Sequence, residues 1–214
     1  IQQFWDIYAP HRNDDGSLTF QSVDATLGWT RNTLNNGTMP TAGSSQRFDT
    51  KITVPGSDVQ YFKMSFDTRH FFPITSNHDW AFSIRGKVGY GNGYGELEGS
   101  EQILPFFENF YGGGYSSLRG FRSNTVGPRA LYLVDNSGSS YVTASNDSVG
   151  GNAIAVGSAE IIFPTPFLDE AYIRQVRTTA FIDFGTVWDT EFDYDKFSQM
   201  QCISYCDRFG DYSS

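Results

Sequence analysis

Long stretches of this chain alternate apolar and polar residues one for one. In 80–90, WAFSIRGKVGY, residues Trp80, Phe82, Ile84, Val88 and Tyr90 share one side, and Ser83, Arg85 and Lys87 share the other. Successive side chains of a strand point to opposite faces, so the stretch predicts a strand with one greasy face and one cationic face. The segment 59–72 repeats the pattern, with Phe62, Met64, Phe66 and Phe72 against Lys63, Ser65, Asp67 and Arg69. In 47–54, Phe48, Ile52 and Val54 oppose Arg47, Asp49 and Lys51; in 20–30, Val23, Ala25, Leu27 and Trp29 oppose Ser22, Asp24, Thr26 and Thr30. Two more strands follow a long interval. In 152–163, Ala153, Ala155, Ala159, Ile161 and Phe163 oppose Ser158 and Glu160; in 176–187, Val176, Ala180, Ile182 and Phe184 oppose Arg177, Thr179 and Asp183.

A soluble antiparallel sandwich with one wet face also alternates. Two details favour a membrane barrel instead. Aromatic residues gather at strand ends (Trp29, Phe71, Phe72, Trp80, Tyr90, Phe163, Trp188), where interfacial girdles lie. The strands run about 8–14 residues, longer than the usual globular mode and enough to cross a bilayer when tilted. The expected fold is therefore all-β, an antiparallel transmembrane β-barrel. The turns PGSD (55–58) and PITSNH (73–78) are short, whereas 92–151 reads as one long loop.

Composition supports β structure: aromatics make up 16% of the 214 residues, and glycine is frequent. A formal net charge of −9 argues against nucleic acid as the main partner. No apolar run is long enough for a transmembrane helix. Ile1–Asp6 has neither a basic start nor an apolar core, which predicts a cytosolic chain or a mature or excised piece. Cys202 and Cys206 have the spacing of a small disulfide loop or half a metal site, and no second Cys pair or nearby His completes a site. A disulfide is the favoured reading and fits an oxidising compartment.

Signals for enzyme chemistry are poor. GYGNGYG (89–95) spaces its glycines by two and so misses the dinucleotide-binding pattern; no Gly-Lys-Ser/Thr or Gly-x-Ser-x-Gly is present. His11, His70 and His78 are scattered. The Asn36-Gly37-Thr38 sequon falls in a turn predicted to be periplasmic.

The remaining conspicuous feature is Arg119-Gly120-Phe121 in the middle of the long loop. Its context, FFENFYGGGYSSLRGFRSNTVGPRALY, resembles the sixth extracellular loop of the BamA family of outer-membrane β-barrel assembly proteins. The resemblance extends to LGWTRNTL with GTMPTAGS, to TVPGSDVQYFKMSFDT, to VGGNAIAVGSAEIIFPTPF and to VRTTAFIDFGTVWD. It implies a barrel of about 16 strands preceded by soluble periplasmic repeats, of which this piece corresponds to strands eight to thirteen. On that frame, residues 1–91 hold about four strands and the end of a preceding loop; 92–151 are the Arg-Gly-Phe loop; 152–188 are two strands; 189–214 begin the next loop. The seam between first and last strands lies outside the piece.

Glu160 and Asp183 lie on polar strand faces that would line the lumen, and the loop has enough chain to bring Arg119 to them. A guanidinium fork suits paired carboxylates, and the resemblance implies the same contact. Gly120 is expected to remove bulk where loop and wall approach closely, and Phe121 to anchor the tip against lumen aromatics. The cluster at 106–115 reads as loop packing. The resemblance implies folding and insertion of β-barrel proteins into the bacterial outer membrane, as the central barrel subunit of an assembly complex. It implies no catalytic residue, cofactor or metal. The implied partners are the lipid bilayer, unfolded outer-membrane proteins and assembly lipoproteins, the last mostly through periplasmic repeats. A two-partner secretion transporter of the same superfamily and a solute porin are the alternatives.

Overall fold

The six alternating stretches form one antiparallel sheet. A computed structural model of the chain describes residues 19–97, 99–136, 139–166 and 176–191. The strands are β1 (Asp24–Asn32), β2 (Gly43–Thr53), β3 (Tyr61–Pro73) and β4 (Ala81–Gly93), then two short strands β5 (Glu96–Leu97) and β6 (Ser100–Glu101). A single 3-10 turn follows at Phe106–Glu108, then β7 (Arg129–Asn136), β8 (Ser139–Ser148), β9 (Ala153–Phe163) and β10 (Thr178–Trp188). The large sheet has the order β1-β2-β3-β4-β9-β10, so β9 pairs with β4 across the long excursion and meander order is preserved. The hairpins β5-β6 and β7-β8 form separate two-stranded sheets.

The long loop therefore differs from the single unstructured stretch that the sequence suggested. Residues 129–136 and 139–148 pair as a hairpin, with a register shift between Arg129 and Leu131. Its two halves, RALYLV and SSYVT, carry the β-branched and aromatic residues that favour pairing. Strand β4 also runs to Gly93, beyond the alternating window, because its glycines carry no side chains to register the period.

Register fixes the faces. Trp29 lies opposite Phe48, Phe48 opposite Phe66, Phe66 opposite Val88, and Val88 opposite Ala155. This apolar face is open: Ile182 is 71% exposed, Phe184 62% and Leu27 65%. Leaving rows of such residues in water would be unfavourable by about 1.5–3 kcal/mol for each large side chain. Rings mark both rims of this face. Trp80 stacks on Phe163 with centroids 5.5 Å apart at one end, and Phe62 meets Tyr90 edge-on at 6.0 Å toward the other. The ten residue steps from Trp80 to Tyr90 span about 34 Å along the strand, or about 25 Å once tilted, which matches the apolar band of an outer-membrane barrel.

The opposite face carries Lys51, Lys63, Arg69, Arg85, Glu160 and Asp183, and the long loop lies against it. What core exists lies on this face, beneath the long loop and, where Leu34 of the β1-β2 connection meets Phe71, Ala81 and Ile162, beneath that turn. Val59, Tyr61 and Leu104 form one buried cluster, and Phe110, Ile154 and Val187 another.

Candidate functional site

Two cross-strand rows of the inner face build the site. One runs Arg69, Arg85, Ser158, Asp183 across β3, β4, β9 and β10; the next runs Phe71, Ser83, Glu160, Phe181. Arg119 comes down from the loop onto the β9-β10 end of these rows. Its Nε and Nη2 donate to the two oxygens of Asp183 at 2.9 and 2.8 Å, and its backbone N–H donates to Oδ2 at 2.8 Å. Its Nη1 donates to Glu160 Oε2 at 2.9 Å and Nη2 to Ser158 Oγ at 2.8 Å. The guanidinium carbon stands 3.5 Å from the centroid of the Phe181 ring, a cation–π contact. The Asp183 side chain is only 4% exposed and that of Arg119 16%. Every guanidinium nitrogen thus has an acceptor, which offsets the desolvation of a shielded charge. Hydrogen bonding to Asp183 raises the Arg119 pKa further above its already high ordinary value, against the lowering by burial.

Neighbours of Arg119 behave differently from expectation. Gly120 faces open space, so bulk is not the constraint there; its φ of +91° is, because that backbone region disfavours a side chain. Among the described residues Phe121 packs against no inner aromatic; it is 60% exposed. The residue that anchors the tip is Leu118, which is buried. An amphipathic turn explains the exchange: with Arg119 aimed at the wall and Gly120 turning the chain, Phe121 is carried away from it. Arg85 holds the same tip from β4, donating to the carbonyls of Ser116 and Ser117 at 2.9 and 2.8 Å.

A second latch has the opposite polarity. Glu108, in the FFENF segment, accepts from Lys51 Nζ at 2.8 Å, from Lys63 Nζ at 3.3 Å and from the Tyr61 hydroxyl at 3.0 Å. Lys63 also donates to the Glu108 carbonyl at 2.6 Å, and Lys51 is 3.0 Å from Asp24. Burial pushes the Glu108 carboxyl up, but the Lys51 hydrogen bond, the Lys63 charge and the Tyr61 hydroxyl outweigh it and leave the group below its ordinary value. Lys51 and Lys63 were recognisable as inner-face cations. Nothing in the sequence marked Glu108 as their partner, since the contacts span 57 and 45 residues.

The glycines of 89–93 explain how the loop reaches the wall. Gly89, Gly91 and Gly93 fall on the inner face of β4. A Cβ on Gly89 would stand 2.7 Å from the Phe110 ring, and one on Gly91 3.2 Å from the Leu104 side chain. On Gly93 it would stand 2.0 Å from the Gln102 carbonyl oxygen. The two-residue spacing that fails as a nucleotide motif is a side-chain-free track along one strand face. Cys202 and Cys206 lie outside the described residues. Among the described residues, no cluster of three metal-ligating side chains occurs.

Comparison with known proteins gives this geometry a family. The Omp85 superfamily domain matches residues 2–206. The chain is 37% identical over 182 residues to the outer membrane protein assembly factor BamA of Neisseria meningitidis serogroup B, covering 85% of the chain and 21% of that protein. It is 28% identical over 176 residues to the BamA of Nitratidesulfovibrio vulgaris, covering 80% of the chain and 19% of that protein. The crystal structure of BamA from Haemophilus ducreyi lacking POTRA domains 1-3 matches 99% of the chain and 38% of its own, with a TM-score of 0.77 and 35% identity. The chain thus spans about a fifth of the length of these two assembly factors. With an apolar outer face, a loop laid along the inner face and a family match over nearly its whole length, the chain belongs to the Omp85 superfamily.

Proposed function

We propose that the chain forms wall and lumen plug of a bacterial outer-membrane barrel that folds and inserts other β-barrel proteins. The observation that carries this reading is the pairing of an outward apolar face, sized for a bilayer, with a loop whose arginine is held by two carboxylates of the opposite face. A pore for small solutes has no need of a loop latched at both Glu108 and Arg119, whereas an insertase benefits from a plug whose position is fixed while its barrel is strained. In this reading the physical work is done by bilayer thinning and by strand edges that satisfy an incoming backbone in lipid. No covalent step, cofactor or metal is called for. The partners are the lipid bilayer, unfolded outer-membrane proteins and assembly lipoproteins, and the site is the bacterial outer membrane. Arg119, Glu160 and Asp183 position the loop within the lumen.

The test is reconstitution of the full-length protein into liposomes, followed by the folding rate of a urea-unfolded outer-membrane barrel added from outside. Folding is read as the heat-modifiable band on cold gel electrophoresis. Acceleration over empty liposomes is expected, and it should fall in the Arg119→Ala protein. Equal rates with and without the protein would overturn the reading.

A further inference from the structure

The inner face is segregated by charge. Asp183 and Glu160, at the β9-β10 end of the two rows, are answered by Arg119. The β3-β4 end has no such answer. Arg69 and Arg85 are a directly opposed cross-strand pair, an arrangement of like charges that is normally destabilising. Arg177, just before β10, joins them around Phe71: the guanidinium carbons of Arg69 and Arg177 lie 5.9 and 5.6 Å from its ring centroid. Arg177 Nε is shut off from solvent and has no acceptor among the described residues. Such an orphaned donor in a low-dielectric site is costly. Among the described residues neither Arg69 nor Arg177 has a carboxylate within ion-pair distance, and Arg85 is met only by two neutral carbonyls.

These three arginines border a cavity of about 370 Å³ that also contains Ser83, Tyr115 and Thr179 and reaches the β1-β2 turn at Thr38. Four guanidiniums, including Arg119, and two carboxylates leave the group with two uncompensated positive charges. We propose that this cavity binds a phosphate group. Three forks, from β3, from β4 and from the residue just before β10, supply more donors than a planar carboxylate can accept, and they suit a tetrahedral oxyanion with several free oxygens. Binding relieves the Arg69–Arg85 opposition and compensates the Arg177 charge at the cavity wall. The phosphate comes either from solution or from a lipid headgroup at the barrel mouth. The inference rests on the proposed barrel, since only a closed lumen shields the cavity.

The experiment measures phenylglyoxal modification of Arg69 and Arg177 by mass spectrometry in the full-length protein, with Arg122 in the exposed part of the loop as control. One arm adds inorganic phosphate in detergent. The other compares nanodiscs of phosphatidylcholine alone with nanodiscs containing phosphatidylglycerol. With phosphate at about ten times its Kd, modification at Arg69 and Arg177 is expected to slow about tenfold while Arg122 is unchanged. Protection by phosphate alone assigns a soluble ligand; protection by phosphatidylglycerol alone assigns a lipid headgroup; protection by both assigns a site open to either. In the Arg69→Gln protein, protection at Arg177 should be largely lost. Unchanged rates in both arms, in protein that is heat-modifiable and accelerates substrate folding, would overturn the phosphate site and leave the proposed function standing. Protein that lacks the heat-modifiable form would overturn both.

Discussion

Replacing Arg119 with Ala removes a cation that makes five hydrogen bonds and one ring contact. The backbone bond to Asp183 remains available; the four side-chain bonds do not. Asp183, at 4% exposure, is left as a shielded carboxylate with Glu160 close beside it and no cation within hydrogen-bonding distance among the described residues. Breaking one partner of a buried ion pair costs about 3–5 kcal/mol, and the 20% exposure of Glu160 places this case near the low end. At about 3 kcal/mol the undocked population of the loop tip rises roughly 10²-fold. Limited proteolysis of the full-length protein in detergent reads that population when reclosing outpaces cleavage. Because Glu108 still holds the base of the loop, new cuts are expected within 112–128 and not at 105–111. Asp183→Asn should have a larger effect than Glu160→Gln, since Asp183 accepts three of the five bonds and Glu160 one. Lysine at 119 should lie between wild type and alanine, because a point charge does not bridge both carboxylates with a fork. An unchanged cleavage rate in Arg119→Ala, in protein that retains its heat-modifiable form, would refute the latch.

Glu108→Gln should release the loop base and make 105–111 protease-sensitive. Because its folded pKa is depressed, Glu108 contributes its full stabilisation above its ordinary pKa of 4.5 and loses it as pH falls through the lower folded value. The acid-induced loosening of 105–111, followed by hydrogen exchange, should therefore be smaller in Glu108→Gln than in wild type. Gly93→Ala forces a methyl into the Gln102 carbonyl; overpacking of about 1–3 kcal/mol should lower the temperature at which the heat-modifiable form is lost. Ile182→Arg places a cation on the apolar outer face and should cost about 2–4 kcal/mol if the position lies near the bilayer midplane, measured as reduced folding yield into liposomes.

The sheet was legible because alternation is local: two or three consecutive residues show which face a side chain takes, and Phe48, Phe66, Ile84 and Ile182 all fall on the apolar side. Strand β4 beyond Tyr90 was less legible, since Gly91 and Gly93 have no side chains to alternate. The inward placement of Phe181 follows from counting between Thr179 and Asp183, but its contact with Arg119 spans 62 positions along the chain and leaves no local mark. The same holds for Ser158, Leu118 and Glu108. Phe121 misled for the opposite reason. An exposed aromatic beside a functional arginine looks like an anchor in sequence, and only the φ of Gly120 shows that the chain has turned before reaching it.

The two latches explain together what neither does alone. The segment between β4 and β9 is long, and closing it carries little penalty per added residue, so length alone does not decide where its tip lies. One ion pair would fix a point and leave the loop free to rotate about it. Glu108 and Arg119 carry opposite charges and meet opposite wall regions, Lys51 with Lys63 on β2 and β3, and Glu160 with Asp183 on β9 and β10. An exchange of partners would set Glu108 against two carboxylates and Arg119 against two ammonium groups. The polarity of the wall therefore selects one orientation of the loop across the sheet. The individual bonds add little net stability once desolvation is counted. Their joint effect is on specificity: a loop displaced by one latch is guided back to the same pose by the other.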